Sequence, residues 1–390
     1  MKGAHRGKLV VLHLAARYPF AGVVWQLLHH LVGFRQLGFD VYYLEDNAAW
    51  VYDASALTTV ADPTGNLKRL NDVLTRFGFG DRWGFYDGER KEWIGMDAAR
   101  CRALIADADA VVNLCGATYP REEHRESRCF VYLETDPGEM QAGLARGDAR
   151  AIERAAAYHH FFTYAYNLGA PDCRLPATGA RWHPTRPPVL LDEWRDGVGP
   201  ASPVAFSTVG TWENKGGDVE LDGDFYHWSK HLNFRQVLDV ARRANQPIEL
   251  ATDLASGPDY DRALAGGFSL RPVVPMSLDL DQYRHYISAS RGEFTVAKDL
   301  YVRTRSGWFS DRTACYLAAG RPVVTQRTGF EKFIPEGIGL LGFDDADEAV
   351  EAIRTINADY QRHAGAAREI ACEYFEAKKL LEEVAMIIGL

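Results

Sequence analysis

Short and almost continuous apolar runs are the feature that most constrains the fold of this chain. Residues 9–14, 110–114 and 130–134 are such runs, and segments with helical spacing, such as residues 23–37, alternate with them. A strand that is apolar on both faces is typical of a parallel sheet covered by helices on both sides. Residues 294–302 alternate and are rich in β-branched and aromatic residues, which also predicts a strand. The pattern therefore predicts an α/β protein built on parallel sheets.

The length of the chain and a proline-rich segment indicate two domains. A chain of 390 residues can form two separate cores. The sequence changes character before residue 203, where prolines become frequent, and the α/β alternation then starts again. We expect an N-terminal Rossmann-like domain at residues 1–180, a linker at 181–203, a C-terminal Rossmann-like domain at 204–375, and a C-terminal helix at 376–390 that packs back on the first domain.

Composition argues against several classes of protein. The net charge of -9 argues against nucleic acid as a partner, because binding to a phosphate backbone rests on clustered lysine and arginine. The six cysteines contain no C-x-x-C pair, which predicts free thiols in a reducing cytoplasm rather than a zinc site. No apolar run approaches the length of a membrane-spanning helix, so we expect a cytoplasmic protein without a membrane span.

The first strand–loop–helix unit lacks the glycine pattern of dinucleotide-binding proteins. Its loop, residues 15–22, reads Ala-Ala-Arg-Tyr-Pro-Phe-Ala-Gly, whereas the phosphate-binding turn of those proteins needs G-x-G-x-x-G. The sequence therefore indicates a Rossmann-like unit that does not bind a dinucleotide through this turn.

A turn that contains serine and glycine leads into a helix within residues 292–331. Ser306 and Gly307 lie in the turn, Ser310 is a suitable N-cap, and Asp311 stands in the first helical turn. Backbone N–H groups at such a helix start can bind an anion. The same pattern also fits an ordinary loop–helix–strand unit of an α/β sheet, and both interpretations stay open.

Three carboxylates stand at and after the end of the apolar run at residues 130–134. They are Glu134, Asp136 and Glu139, and open α/β sheets bind ligands at the carboxyl ends of their strands. Because Asp136 precedes Pro137, its backbone is held extended and its carboxylate can point into a cleft. Alternatively, Asp136 caps a helix that has Pro137 at its first position. The sequence leaves both roles open.

One segment resembles the donor site of glycosyltransferases with the GT-B fold: AAGRPVV at residues 318–324, followed by TGF at 328–330. In their family-4-like branch, a short helix that ends A-x-G-x-P-V-V lies beside the nucleotide-sugar. The resemblance covers the last third of the chain and, as architecture, the rest. The family's glutamate pair, spaced E-x7-E, is absent, since Gly307 and Cys315 stand at these positions. Asp311 is the nearest carboxylate that could bind the ribose hydroxyls instead.

This resemblance implies two Rossmann-like domains that face each other across a cleft. It also implies a hexosyltransferase-type enzyme that moves a sugar from a nucleotide diphosphate sugar to an acceptor hydroxyl, with no metal and no cofactor, and it leans toward retention of the anomeric configuration. The acceptor, a small molecule or a glycan, is expected on the first domain. Asp136 is the candidate catalytic residue, which orients or deprotonates the acceptor hydroxyl.

Donor-binding roles follow from the same resemblance. The family places a glycine-containing loop after the first strand, and a glycine and a lysine near the donor phosphates at the start of the second domain. A lysine interacts with phosphate as a point charge, although Lys230 also fits a solvated surface position. The candidate donor-binding residues are Gly22, Gly210, Lys230, Ser306, Gly307, Ser310, Asp311 and Arg312.

Two D-x-D patterns raise the question of a bound metal ion, because this pattern binds metal in another glycosyltransferase fold. Residues 222–224 (Asp-Gly-Asp) have the composition of a turn, and residues 279–281 (Asp-Leu-Asp) that of a helix start. We therefore predict no bound metal.

Two other functions fit the same scaffold. A sugar-nucleotide epimerase or phosphorylase would release a rearranged or phosphorolysed sugar when no acceptor is present. A non-catalytic nucleotide-sugar binding protein would bind the donor without turnover, which fits the missing glutamate pair. The fold alone does not decide among these functions.

Overall fold

Two sheets of mainly parallel strands, one in each half of the chain, carry the fold. The structure is a computed structural model that describes residues 6–195 and 204–390. The predicted linker at residues 181–203 therefore lies partly outside the described residues.

The first sheet lies within residues 6–195. The strands of this part, in chain order, are β1 (Lys8–Leu12), β2 (Asp40–Glu45), β3 (Val51–Asp53), β4 (Thr58–Val60), β5 (Trp83–Asp87), β6 (Glu92–Gly95), β7 (Ala110–Leu114), β8 (Phe130–Glu134), β9 (His160–Thr163) and β10 (Trp182–Pro184). Within residues 6–195, eight strands form the sheet in the order β10-β9-β8-β7-β1-β2-β5-β6, and β3 and β4 form a separate hairpin. The pairing of β5 with β6 is antiparallel, and the other pairings in the sheet are parallel.

Helices connect these strands and cover the sheet. They are α1 (Ala21–Gln36), α2 (Thr64–Arg76), α3 (Ala98–Asp107), α4 (Glu122–Arg125), α5 (Glu139–Ala145) and α6 (Ala149–Ala155), followed by a 3-10 turn at Leu191–Trp194.

The second sheet lies within residues 204–390. The strands of this part are β11 (Phe206–Val209), β12 (Val219–Leu221), β13 (Asp224–Tyr226), β14 (Ile248–Thr252), β15 (Phe268–Pro272), β16 (Gly292–Thr295), β17 (Val323–Gln326) and β18 (Leu340–Phe343). Within this part, six strands form an all-parallel sheet in the order β15-β14-β11-β16-β17-β18, and β12 and β13 form an antiparallel hairpin.

The helices of the second half begin with two short ones and end with three long ones. They are α7 (His231–Val237), α8 (Val240–Ala244), α9 (Pro258–Ala265), α10 (Val273–Ser277), α11 (Leu280–Ala289), α12 (Asp299–Thr304), α13 (Asp311–Ala318), α14 (Ala346–Ala358), α15 (Tyr360–Tyr374) and α16 (Ala377–Ile387), with a 3-10 turn at Phe330–Lys332. Among the described residues, no helix has the length and apolar character needed to cross a membrane.

Burial explains why the strands form where the apolar runs lie. Every residue of β7, β8, β11, β17 and β18 is buried. A continuous apolar run is expected in such strands, because helices cover both faces of a parallel sheet. The predicted α/β fold with two Rossmann-like sheets is thereby confirmed.

Two predicted boundaries differ from the structure. The strand predicted at residues 294–302 ends at Thr295, because Lys298 becomes the N-cap of α12 and Asp299 complements the dipole of its first turn. The apolar residues after it are buried on that helix rather than on a strand. β10 lies inside the segment predicted as linker, but it pairs with β9, so the first sheet extends to Pro184.

The C-terminal helix α16 packs on α1, at the first sheet. Gly33 of α1 lies at this contact, where an added Cβ would come within 2.5 Å of Leu381 and 3.3 Å of Ala377. Both partners are buried, so neither side chain can easily move away. The close approach of the two helices therefore depends on a residue without a side chain.

We predict opposite effects for alanine at two helical glycines. Gly33→Ala should lower the free energy of unfolding by about 1–2 kcal/mol, because it overpacks the contact of α1 with α16. Gly65→Ala is the matched control on α2, where nothing lies within 4 Å of the new Cβ, and it should raise that free energy by about 0.5–1 kcal/mol. Urea unfolding measures both. An equal stabilisation by the two variants would contradict the close contact.

Candidate functional site

A cavity of about 690 Å³ lies between the two halves of the chain. Residues that follow β1, β7 and β8 line it from the first half, and residues that follow β11, β14 and β15 line it from the second. Ligands of open α/β sheets bind at these carboxyl ends of the strands. The cavity is therefore the place where both sheets can present functional groups to one ligand.

The structure brings most of the predicted site residues to this cavity. Lys230 lies beside it, in two small voids whose other walls include Gly210, Ser310 and Arg312. Six predicted residues line the cavity itself: Gly22, Asp136, Gly210, Ser310, Asp311 and Arg312.

Ser306 and Gly307 do not line the cavity. Their loop packs against the first half instead: the backbone N–H of Asn167 donates to the carbonyl of Ser306 at 3.0 Å. Gly307 has a φ of +79°, and an added Cβ would lie 2.5 Å from the nitrogen of Asn167. Glycine is needed here for a close approach between the two halves, so the predicted donor-binding role of this turn is not supported.

Ser310 is the N-cap residue of α13, as predicted, but its side chain forms no capping hydrogen bond. Its backbone is extended, with φ −82° and ψ 135°, as at an N-cap, yet its side chain accepts no hydrogen bond from the helix. Ser310 lines the cavity together with the next two residues. The start of α13 therefore faces the space where a ligand would lie.

Arg312 is held in place by residues of the second sheet. Its Nε donates to Glu293 at 2.5 Å, one terminal nitrogen donates to the carbonyl of Val209 at 2.5 Å, and the other donates to Thr295 at 2.9 Å. Glu293 is fully buried and the Arg312 side chain is mostly buried. These bonds engage three of the five N–H groups of the guanidinium, so Arg312 is preorganised and keeps donors for a ligand.

Lys230 is buried, and its side-chain nitrogen donates no hydrogen bond to any described residue. It is 9% exposed, and burial lowers its pKa well below the ordinary value, with the nearby charge of Arg312 acting in the same direction. A buried, unpaired ammonium is costly. An anionic ligand in the adjoining cavity would offset this cost.

Asp136 joins the two halves of the chain. Its carboxylate accepts hydrogen bonds from Lys298 Nζ at 2.6 Å and from the Tyr301 hydroxyl at 2.5 Å. Burial by itself would raise the pKa of Asp136, but the charge and hydrogen bond of Lys298 and the hydroxyl of Tyr301 outweigh it and lower the pKa. The N-cap of α5 is Gly138, so the alternative in which Asp136 caps this helix is wrong.

The ammonium of Lys298 also lies 3.3 Å from the centroid of the Trp228 ring, which adds a cation–π contact. Lys298 and Tyr301 were not singled out from the sequence, because their partner in the first half is more than 160 residues away.

Asp311 has a carboxyl group whose pKa is raised to about 7. Burial is the largest cause, the neighbouring charge of Asp136 adds to it, and a hydrogen bond with the Gln26 side chain opposes it. Gln26 itself accepts a hydrogen bond from the Cys115 thiol at 2.9 Å. Asp311 thus meets the first half of the chain, and its predicted contact with ribose hydroxyls stays a prediction.

Glu134 is a further carboxyl group at the cavity. Its Oε2 accepts hydrogen bonds from Gln141 at 2.6 Å and Thr163 at 2.7 Å, while its Oε1 is buried without a partner among the described residues. Burial raises its pKa to about 8. The signal for this residue was in the sequence: a glutamate ends an otherwise apolar, fully buried strand.

Cys315 stands at the position of the second glutamate of the GT-B glycosyltransferases that this chain resembles, and the imidazole of His29 lies beside it. Cys315 lies 3.7 Å, sulfur to Nε2, from His29, and both residues line the cavity. Burial lowers the pKa of His29 to about 3, so its ring is neutral near pH 7. The position of the family's second glutamate therefore carries no carboxyl group, and Asp311, one helical turn earlier, is the carboxyl group nearest to it along the helix.

The D-x-D patterns have structural roles. Asp279 caps α11 by accepting a hydrogen bond from the backbone of Gln282, and Asp281 pairs with Arg76 at 2.7 Å. Asp222 and Gly223 form the turn of the β12–β13 hairpin, and Asp224 begins β13, where it pairs with Leu221. The absence of a required metal stays a prediction.

One other group of side chains has the spacing of metal ligands. Asp46, Glu123 and His124 place ligand atoms within 4.8 Å of one another. The guanidinium of Arg121 bonds both carboxylates, Asp46 at 2.5 Å and Glu123 at 2.7 Å. An arginine thus takes the place of a cation there, and the group is not a metal site.

Comparison with known proteins agrees with this geometry. Residues 227–383 match the model of a family described as glycosyl transferase-like. No curated protein matches the sequence significantly.

Solved structures of the same fold cover almost the whole chain. An alpha-glucosyltransferase in complex with UDP and a 13-mer DNA superposes with a TM-score of 0.58 at 12% identity, over 98% of this chain and 100% of that one. AviGT4, a glycosyltransferase involved in avilamycin A biosynthesis, gives 0.58 at 12% identity, over 98% and 97%. The sucrose-phosphate synthase of Thermosynechococcus elongatus gives 0.52 at 12% identity, over 98% of each chain.

These similarities show the GT-B fold. The predicted fold class and the resemblance to GT-B glycosyltransferases are confirmed, while the narrower resemblance to family 4 stays a prediction. Because one of the similar proteins was solved with DNA, the argument against nucleic acid as a partner of this chain also stays a prediction.

We predict that Asp311→Asn stabilises the protein at pH 8 and much less at pH 4.5. The folded protein keeps a proton on Asp311 that the unfolded chain loses between about pH 4 and 7, so stability falls as the pH rises through this window. The variant removes this loss, which is at most about 4 kcal/mol.

Urea unfolding at the two pH values measures the effect of Asp311→Asn. Asp261→Asn, which removes an exposed carboxylate on α9, is the control and should show a smaller difference between the two pH values. A gain in stability by Asp311→Asn that is the same at pH 4.5 and 8 would show that the carboxyl group does not titrate in this window.

Proposed function

Since residues 227–383 match a glycosyltransferase family and the chain has the GT-B fold, we propose that this protein is a hexosyltransferase-type enzyme. It transfers the sugar of a nucleotide diphosphate sugar to the hydroxyl of an acceptor in the cytoplasm, without a metal or a cofactor. UDP is the first nucleotide to test, because a protein of the same fold was solved with it.

The buried ammonium of Lys230 is the observation that carries this proposal. The reaction leaves a diphosphate, and stabilising the charge that develops on it requires positive groups that are already in position. Lys230 lacks a hydrogen-bond partner among the described residues, and its voids adjoin the residues at the start of α13 and the fixed guanidinium of Arg312. Together they place two basic side chains and the free N–H groups of a helix start at one corner of the cavity, and Glu293 pairs with one of these side chains, Arg312.

In this proposal, each half of the chain binds one of the two substrates. We assign the acceptor to a domain at residues 1–180 and the donor to a domain at residues 204–375, with the helix at 376–390 packed back on the first domain. Gly22 and Gly210 leave room at the cavity: an added Cβ would lie 3.4 Å from the Tyr283 hydroxyl at Gly22 and 3.5 Å from Arg312 at Gly210.

Asp136 and Asp311 differ in how well each can act as a general base. A general base works best when its pKa lies near the working pH. The pKa of Asp136 is lowered by Lys298, so Asp136 orients the acceptor hydroxyl rather than removing its proton. Asp311, with a pKa of about 7, is the better candidate to accept the proton. Retention of the anomeric configuration remains the expected outcome.

A second function, binding of a nucleotide sugar without turnover, is favoured by one observation. The position of the family's second glutamate holds Cys315 beside a neutral His29, with no carboxylate. A binding protein would take up the donor as strongly as an enzyme, so turnover has to be measured separately.

We predict that one nucleoside diphosphate series raises the thermal stability of the purified protein. UDP, GDP and ADP and their glucose conjugates are compared, each with and without EDTA. A ligand present at 100 times its Kd adds about 2.7 kcal/mol, and EDTA should change nothing. Lys230→Ala should remove the shift, whereas Lys68→Ala, an exposed lysine on α2, should keep it.

Other results of the thermal assay would contradict the proposal. A shift that EDTA abolishes would contradict the metal-independent proposal. The absence of a shift with every nucleotide, or an equal shift in Lys230→Ala, would contradict the proposed donor site.

Turnover separates the enzyme from the binding protein. With the stabilising donor and a productive acceptor, Asp136→Asn should lower kcat about 100-fold, because the acceptor hydroxyl loses the group that orients it. Asp172→Asn is the matched control, because Asp172 also joins the two halves, through Arg305 at 3.0 Å and through Lys332, but does not line the cavity. It should leave kcat within about twofold. A donor that binds but is never turned over would favour the binding protein.

A further inference from the structure

The first half of the chain gives the cavity a wall with its own chemistry. We call this surface the acceptor wall, and it is formed by Tyr18, Phe20, Tyr52, Glu134, Asp136 and Glu139. Its role in binding an acceptor rests on the proposed function, which assigns the acceptor to this half of the chain.

Three aromatic rings make up one side of the acceptor wall. Tyr18, Phe20 and Tyr52 are each partly exposed, and the rings of Phe20 and Tyr52 lie 5.5 Å apart, centroid to centroid. The backbone N–H of Tyr52 donates to the carbonyl of Arg17 at 2.8 Å, which fixes the two loops to each other. Aromatic faces held in this way bind the apolar face of a ring.

The ionisable side chains of the acceptor wall, apart from its tyrosines, are all acidic. Glu134, Asp136 and Glu139 line the cavity, and no lysine or arginine of residues 6–195 does so. The cations beside these carboxyl groups are already paired: Lys298 bonds Asp136 at 2.6 Å, and Arg154 lies 3.8 Å from Glu139. Arg17 lies on the aromatic side of the wall instead, with its guanidinium carbon 5.2 Å from the centroid of the Tyr18 ring. A phosphate or sulfate group beside Glu134, Asp136 and Glu139 would meet acidic groups whose neighbouring cations are already engaged, which is unfavourable.

Glu134 offers this wall an unused hydrogen-bonding atom. Gln141 and Thr163 hold its Oε2, while its Oε1 is buried and without a partner among the described residues. Glu134 is only 2% exposed, and a buried polar atom without a partner is costly. A hydroxyl group of a bound acceptor would satisfy it.

We propose that the acceptor is a small, uncharged molecule with a ring and several hydroxyl groups, such as a glycoside, and not a nucleic acid or another polyanion. Its ring lies against Tyr18, Phe20 and Tyr52, and one of its hydroxyls bonds Glu134. The cavity, about 690 Å³, has the size of a small-molecule site. An acceptor of this class differs chemically from the DNA that is bound in the structure of the similar alpha-glucosyltransferase.

The test compares acceptors after the donor has been identified by thermal stability. Release of the nucleoside diphosphate is measured with phenyl glycosides of glucose, galactose and mannose as neutral acceptors. Glucose 6-phosphate, a 13-base-pair DNA duplex and a 13-mer single strand serve as anionic acceptors. At least one phenyl glycoside should raise the release more than tenfold above hydrolysis of the donor alone, and the anionic compounds should not.

Two variants test the wall itself, with the productive phenyl glycoside as substrate. Tyr52→Ala and Glu134→Gln should each raise the KM for the acceptor about tenfold, with a much smaller change in kcat and no change in the thermal shift given by the donor. Tyr119→Ala, an exposed tyrosine outside the cavity, is the control and should leave the KM unchanged.

Three outcomes would overturn this inference: turnover with DNA or glucose 6-phosphate, no turnover with any neutral acceptor, or an unchanged KM in both wall variants. In each of these cases a preserved thermal shift with the donor would leave the proposed donor site standing. Loss of that shift in the unmodified protein would instead mean that the proposed function itself has failed.

Discussion

The contact of Asp136 with Lys298 and Tyr301 is the interaction on which the site depends. It joins the end of β8 to the start of α12 through hydrogen bonds of 2.6 and 2.5 Å, and beside it the indole of Trp308 donates to the carbonyl of Thr135 at 2.8 Å. Lys298 is mostly buried in this pair, whereas the Asp136 side chain is 43% exposed, and a partly buried ion pair is stabilising only when the geometry of both partners is satisfied. This contact therefore ties the shape of the cavity to one arrangement of the two halves, and it sets the charge of the carboxylate that faces the acceptor.

Charge is divided across the cavity in a way that suits two different substrates. The second half contributes cations: Arg312 is fixed by Glu293, and Lys230 keeps its ammonium free of protein hydrogen bonds in the described structure. The first half contributes aromatic rings and carboxyl groups. The surface of the second half favours a diphosphate, and the surface of the first half favours a neutral compound with hydroxyl groups. The proposed transfer of a sugar from a donor on one surface to an acceptor on the other would require both surfaces to meet in one cavity.

Much of the fold could be predicted from sequence, and the site only in part. Apolar runs located β7 and β8 to the residue, because complete burial leaves a pattern that does not depend on distant partners. The strand predicted at residues 294–302 failed beyond Thr295, since alternation in a short segment does not distinguish a strand from a buried helix. Ser306 and Gly307 fitted an anion-binding turn locally, but their contact with Asn167 could not be seen in the sequence. Lys298 and Tyr301, the partners of Asp136, could not be predicted either, because they lie more than 160 residues away in the sequence.

A crystal structure of the protein with a bound nucleoside diphosphate would show whether Lys230 and Arg312 hold the diphosphate of the donor. UDP is the first choice, unless the thermal assay selects another base. We predict that the diphosphate lies at the start of α13, with an oxygen within hydrogen-bond distance of Lys230 Nζ and the guanidinium of Arg312 adjoining it. A nucleotide bound on the aromatic side of the first half, or a diphosphate out of reach of Lys230, would contradict it.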